Sequence, residues 1–449
     1  MSKKYVAVIG GAIAGAEAAV QMAEKGFEVV VFDQMMLPYG KIEDGLPKWH
    51  HKLREKETSR IDAKIMHDNV RFIPGVRIGR DISFEDLQKE WGFSAVMFAT
   101  GAWNDRPLGI DGIDAYINKG LVYQNKLLYW FNHKHESDYS GTVYNVPEGA
   151  AVIGGGLASL DVMKIMMMES VSNALEARGI SESMFDFEKL GVSKILDKHS
   201  LTLEELGVKP ATLFYRRKEE DMPLSPRPRT TPEEIANAQR IAMKIMTKYK
   251  DKYLFKLEEL SVLKGFEVEN DEISALIFDK VESIDGKLVS TGNDLKYNTK
   301  LLVSSIGSVP EFIPGIPTKG ALFEIDDKTS SRVKGYSNVF AVGNAVTGRG
   351  NIVESLKHSK NVTLNLIDNE LEGEESAFAS NSNALNNVLR NVENKVDEQI
   401  DTIVAELEGC EELENAKLIP SKIKALQEKV GFDGNYEAWR DRFRKERMI

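Results

Sequence analysis

Two stretches of this chain space their glycines in a way that phosphate chemistry uses. VAVIGGAIAGAEAA (Val6 to Ala19) reads as an apolar strand, a turn and a small-residue helix. A turn of the form G-x-G-x-x-G brings backbone against a pyrophosphate and packs the helix closely on its strand. Gly10 and Gly15 hold the first and third glycine positions, with Ala14 beside the third. Ala12 holds the middle one, and the neighbouring Gly11 lets the turn relax around its methyl. The next strand, VVVFDQ (Val29 to Gln34), closes with Asp33 and Gln34. Asp33 falls roughly 20 residues past the turn, where a dinucleotide fold places the carboxylate that binds a ribose hydroxyl. A tightly packed βαβ unit without ligand is the competing reading.

The pattern recurs in AAVIGGGLASLDVMKI (Ala150 to Ile165). Gly154 and Gly156 take the first two positions, and Ser159 is small enough for the third. The next strand, ATLFYRR, ends in Arg216 and Arg217 instead of an acid. An acid there suits an unphosphorylated ribose, whereas guanidinium forks suit a 2′-phosphate. The pair of turns therefore points to two unlike dinucleotides, FAD at the first and NADPH at the second. A solvated strand end is the plainer account of the two arginines. Two more segments suit a flavin. AVMFATGAW ends a strand with Ala99, Thr100 and Gly101. NVFAVGNAVTGRGNIVESLKHSK runs from a strand through Gly343, Asn344 and Gly350 into a helix near Ile352. That helix N-terminus offers free N–H groups and a positive dipole end, suited to the flavin N1/O2 edge.

Positioning these groups requires strands alternating with helices. The sequence predicts an α/β chain with two Rossmann-like dinucleotide-binding domains and a C-terminal helical extension. The expected division is 1–105 with 331–365 for FAD, 106–330 for NADP(H), and 366–449 for the extension. Within the extension, ENKVDEQIDTIVAELEG (Glu393 to Gly409) sets an apolar face that packs on the body or on a partner. The methionine run MKIMMME (Met163 to Glu169) reads as core filling. The 449 residues are 42% hydrophobic and 28% charged, with net charge −11, which argues against a general nucleic-acid or membrane binder. One cysteine, Cys410, makes no internal disulfide or redox pair. With little chain ahead of the first strand for a leader, the expected location is cytoplasmic.

These motifs, taken in order, resemble the adrenodoxin reductase-like flavoproteins. That group includes ferredoxin–NADP reductases and the glutamate synthase small subunit. The resemblance rests on the FAD turn with Asp33, LPYGKIEDGLPKWHHKLRE, NVRFIPGVRIGRDISFEDL, the ATG strand, VIGGGLASLDV, LFYRRKEEDMP and VFAVGN. IKALQEKVGFDGNYEAW, near the end, is similar to the last segment of adrenodoxin reductases. The resemblance implies that Asp33 holds the FAD ribose and that the Val76 backbone meets the adenine. Gly40 belongs to its flavin segment. It implies Gly155, Gly156, Leu157 and Ala158 at the NADP pyrophosphate, His50 near the nicotinamide–flavin junction, and Glu234 beside the nicotinamide. A partly exposed loop histidine is an equal reading of His50.

The departures are Ala12, Leu157 where the family usually has Asn, Asn344 where it has Asp or Trp, and Lys41 where it is often apolar. The implied activity is hydride transfer between NADPH and FAD, with electrons passed to an iron–sulfur protein such as a ferredoxin. Lys48, Lys52, Arg54, Lys56, Arg71, Arg77 and Arg80 are candidate docking cations, though the net charge opposes an acidic partner. A flavoprotein subunit of a larger redox complex and a non-catalytic nucleotide-binding module remain as alternatives. The oligomeric state is open.

Overall fold

The computed structural model describes residues 4–225, 229–348, 350–371 and 414–447. The predicted helix over 393–409 and Cys410 lie outside them. In chain order the main strands are β1 (Tyr5–Ile9), β2 (Glu28–Phe32), β3 (Val70–Ile73), β4 (Ala95–Phe98), β5 (Leu121–Tyr123), β6 (Ala151–Gly154), β7 (Thr212–Phe214) and β8 (Lys256–Glu258). They continue with β9 (Ser261–Glu269), β10 (Glu272–Ile284), β11 (Lys287–Asn298), β12 (Leu302–Ser305) and β13 (Val339–Ala341). The principal helices are α1 (Ile13–Glu24), α2 (His51–Ile65), α3 (Gln124–His133), α4 (Leu157–Glu176), α5 (Pro232–Tyr253), α6 (Ile352–Leu366), α7 (414–430) and α8 (Tyr436–Arg447).

Two compact units result, each built on a parallel five-stranded sheet. In the first the order is β13-β4-β1-β2-β3. Its strands are continuous apolar runs such as VVVF and AVMF because helices cover both faces, so no polar side is needed. Register aligns the ends of these strands. Ile9 pairs with Phe32 and Phe98, and Phe98 with Ala341. Those residues sit at one level, so the segments beginning at Gly10, Asp33, Ala99 and Val342 leave the same carboxyl edge. Open α/β sheets bind ligands at that edge. α6 is pinned to α1 by Ser359 Oγ, which donates to Ala14 O at 2.6 Å.

The second unit has the order β5-β12-β6-β7-β8, with the antiparallel ribbon β9-β10-β11 beside it. Met163, Met166, Met167 and Met168 on α4 are fully buried, as core filling requires.

The unit boundaries differ from the expected ones. Residues 308–330 belong to the first unit, and 47–50 to the second. The described part of the C-terminal region is not a separate extension. Ile419 and Ile423 of α7 enter the same apolar cluster as Ile73 and Phe98, and Phe432, Tyr436 and Trp439 enter the cluster around Phe72. No helix among the described residues is long and apolar enough to cross a membrane.

Candidate cofactor sites

In the first unit, Gly10 leaves β1 at φ 97° and donates its N–H to Phe32 O at 2.7 Å. Gly15 lies so close beneath the turn that a methyl added there would overlap the Gly10 carbonyl. Only hydrogen fits, which is the close approach the third glycine provides. The methyl of Ala12 is accommodated from the other side. It faces Gly40, where an added Cβ would sit 2.9 Å from it. Gly40 also holds a left-handed φ of 52°. The glycine absent from the middle of the motif is thus matched by a glycine across the loop.

Asp33 is buried at the end of β2. Its Oδ2 accepts the Gly11 N–H and its Oδ1 the Met35 N–H, both at 2.8 Å. Burial pushes its pKa up to about 6; the two backbone hydrogen bonds oppose that rise and Asp44 adds to it. Each carboxylate oxygen keeps a lone pair for a ribose hydroxyl. Gln34 beside it is half-buried. The Val76 N–H donates to Asp33 O at 2.9 Å, so a backbone contact to an adenine there would fall to the Val76 carbonyl.

Ala99, at the end of β4, lies under Gly10, and Ala14 on α1 lies under Gly343. Thr100 Oγ1 and Asn344 Oδ1 are withdrawn from solvent and have no hydrogen-bond partner among the described residues. Buried polar atoms are normally satisfied, so two orphans along the carboxyl edge fit the polar atoms of a bound flavin nucleotide. Gly101 comes next, with open space where a side chain would be, and the exposed Gly350 lies beside the Asn344 amide. Ile352 begins α6, capped by Asn351 Oδ1, which accepts the Glu354 N–H at 2.7 Å. The N–H groups of Ile352 and Val353 have no intrahelical acceptor. The sequence pattern did not reveal His358, whose Nδ1 accepts the Gly343 N–H at 3.2 Å. Burial lowers its pKa, which favours the neutral ring that this bond requires.

In the second unit, a Cβ on Gly154 would meet Ser159 Cβ and Ser305 O, each at 2.6 Å, and one on Gly155 would enter the Tyr215 ring. Ser159 is fully buried against the turn, as the third position requires. Gly156, Leu157 and Ala158 open α4 with no side-chain cap and no acid in the first turn. Leu157 and Ala158 are exposed. This long helix therefore presents free N–H groups and its positive end to solvent, which suits a pyrophosphate. Arg216 and Arg217 are exposed just past β7, and neither guanidinium is paired among the described residues.

His50 sits in the turn Lys48–His50, its Nε2 3.2 Å from Asp161 Oδ2 on α4. Lys164, one turn on, reaches Asp161 at 3.6 Å and Glu188 at 3.4 Å. It also lies 4.7 Å from the Trp49 ring centroid. Asp161 and Lys164 were not anticipated, although their i,i+3 spacing in SLDVMK is legible. Glu234 has a different occupation from the one its resemblance implies. It is the third residue of α5 and completes a capping box with Thr231. Its Oε2 accepts the backbone N–H groups of Thr230 and Thr231 at 3.0 and 3.1 Å, and also the Thr230 hydroxyl.

Residues 4–177 match the family described as pyridine nucleotide-disulphide oxidoreductase. The chain is 32% identical over 162 residues to a probable ferredoxin/ferredoxin–NADP reductase of Mycobacterium leprae, covering 36% of this chain and 28% of that protein. A putative glutamate synthase [NADPH] small chain of Cereibacter sphaeroides is 22% identical over 81% of this chain and 76% of its own. The chain spans about a quarter of the length of the ferredoxin reductase relatives it matches. The structure of Mycobacterium tuberculosis FprA in complex with NADPH shares this chain's fold, at TM-score 0.65 and 19% identity. That match covers 91% of this chain and 90% of FprA.

Most of the candidate docking cations are committed elsewhere. Lys48 pairs with Glu136, Arg71 with Glu28, Arg77 with Glu311 and Arg80 with Asp81. Arg54 donates to Leu46 O.

Proposed function

We propose that this chain takes hydride from NADPH onto FAD and passes the electrons to an external iron–sulfur partner. One observation carries the reading: two glycine turns with ends of opposite charge, the buried Asp33 at the first and, at the second, Arg216 and Arg217, exposed and unpaired among the described residues. When bound, the two cofactors supply the hydride and electron-transfer chemistry. The chain supplies recognition and alignment. Asp33 accepts a ribose hydroxyl, and Thr100 and Asn344 offer polar atoms that have no partner among the described residues. The N-terminus of α4 takes the NADPH pyrophosphate, and the arginines fork onto its 2′-phosphate. Asp161 fixes the orientation of the His50 ring, which the resemblance sets near the nicotinamide. Glu234 keeps its capping role. With one cysteine, this chain holds no dithiol to receive the electrons.

The test is an anaerobic absorption spectrum of the purified protein before and after NADPH, then NADH. A flavin spectrum bleached faster by NADPH supports the reading. Bound flavin that never bleaches, or a colourless chain that FAD does not reconstitute, overturns it. Arg216→Ala and Arg217→Ala should raise the KM for NADPH far more than that for NADH; equal losses would remove the 2′-phosphate assignment. The pairing of the surface cations favours a second reading, a flavoprotein subunit held in a larger redox complex by a less acidic partner.

A further inference from the structure

The first unit contains a polar cluster that none of the cofactor chemistry uses. Asp62 on α2 is 3% exposed. Its Oδ1 accepts the Tyr39 and Tyr436 hydroxyls at 2.9 and 2.7 Å, and its Oδ2 accepts Arg444 Nη2 at 2.9 Å. Two of these donors come from α8, far away in sequence. The third, Tyr39, belongs to the loop just after Asp33. Trp439 on the same helix reaches that loop independently, its Nε1 donating to Met36 O at 2.7 Å. The guanidinium of Arg444 also lies 5.5 Å from the Tyr39 ring centroid. Arg444 is therefore held against the first unit instead of being left to solvent.

The loop so held is part of the first cofactor site. Its first residues tie to Asp33 through the Met35 N–H. Pro38 packs on Gly11 so closely that a Cβ there would be 2.6 Å from it, and Gly40 faces the Ala12 methyl. A shift of residues 36–40 would thus move both the ribose carboxylate and the glycine turn. We propose that α8 is a latch on this loop, with Trp439, Tyr436 and Arg444 as positioning residues that set how tightly the first site holds its dinucleotide. This rests on the flavin reading of that site. None of the three need touch the cofactor, because each acts through Met36, Tyr39 or Asp62.

The test uses full-length apoprotein titrated with FAD, read by flavin fluorescence, with the rate of FAD release measured after dilution. Trp439→Phe keeps an aromatic ring against Phe432 and Phe443 and removes the bond to Met36 O together with part of the indole packing. Paired with Tyr436→Phe, it should weaken FAD roughly tenfold and speed its release, the scale of one or two lost hydrogen bonds. NADP+ affinity, which reads the other unit, should not change. Gln427→Ala is the control. Gln427 Nε2 donates to Phe72 O at 2.8 Å, so its loss loosens the C-terminal region from β3 without touching the loop. It should lower the thermal midpoint and leave FAD affinity at the wild-type value. If the double variant binds and releases FAD like wild type, the latch is overturned and the flavin reading stands. If Gln427→Ala weakens FAD as much, the effect is general loosening and the latch is again overturned. If wild-type apoprotein takes up no FAD while binding NADP+ normally, the flavin reading fails and the latch falls with it.

Discussion

At the residue scale, the glycine turns make the strictest demands. Gly15→Ala would place a methyl inside the Gly10 carbonyl, so the turn must open or α1 must move. We expect loss of FAD binding and a stability cost of about 3 kcal/mol or more by chemical denaturation, as for severe overpacking. Ala12→Gly should leave FAD affinity within about twofold, because the methyl it removes already has room at Gly40 and one methylene-sized contact is worth little. Asp33 makes a pH prediction. Its folded pKa, about 6, lies above the ordinary 3.8. The native state therefore binds that proton more tightly than the unfolded chain. The stabilisation is present below the ordinary value and is withdrawn as pH climbs through about 6. Without cofactor, wild type should lose up to about 3 kcal/mol relative to Asp33→Asn between about pH 4 and pH 7. A ribose hydroxyl donates to the ionised carboxylate, so FAD affinity should rise with pH over the same window and become flat in the variant.

At the element scale, the strands were legible because buried parallel strands are unbroken apolar runs, and the two turns because glycine spacing is a backbone requirement. Side-chain partners over long separations were not legible. Nothing in TSRIDAKI announces that Asp62 gathers Tyr39, Tyr436 and Arg444, and nothing in SLKHSK announces that His358 supports Gly343. Glu234 is a different case. The signal TPEE, a threonine three residues ahead of a glutamate with proline at the first helical position, is a capping box in plain sequence. The resemblance suggested another use for the same carboxylate. The two roles separate experimentally. Glu234→Ala should cost about 1 kcal/mol of stability, the usual value of a lost cap, and leave the rate of flavin reduction by NADPH unchanged. A collapsed reduction rate at unchanged stability would return the carboxylate to the nicotinamide.

Charge decides the prediction at the scale of the whole molecule. Composition gives a net charge of −11, and the residues that might have offset it locally are largely neutralised by their own neighbours. Lys52 and Lys56 on α2 are exposed and carry no ion pair among the described residues. Exposed pairs of this kind add little stability, but each removes a cation from the field a partner meets at a distance. An acidic ferredoxin approaching such a surface is repelled before short contacts form. Salt screens that repulsion over a Debye length of about 10 Å at 0.1 M. Electron transfer to an acidic ferredoxin, monitored by stopped flow, should therefore speed up between about 10 mM and about 150 mM salt, where a basic docking face would make it slow down. Acceleration favours the subunit reading, in which a permanent and less acidic partner needs no long-range steering. A steep slowing would mean that the cations paired in the isolated chain exchange their acids for the ferredoxin's on docking. Lys52→Glu and Lys56→Glu would then slow the reaction further at low salt.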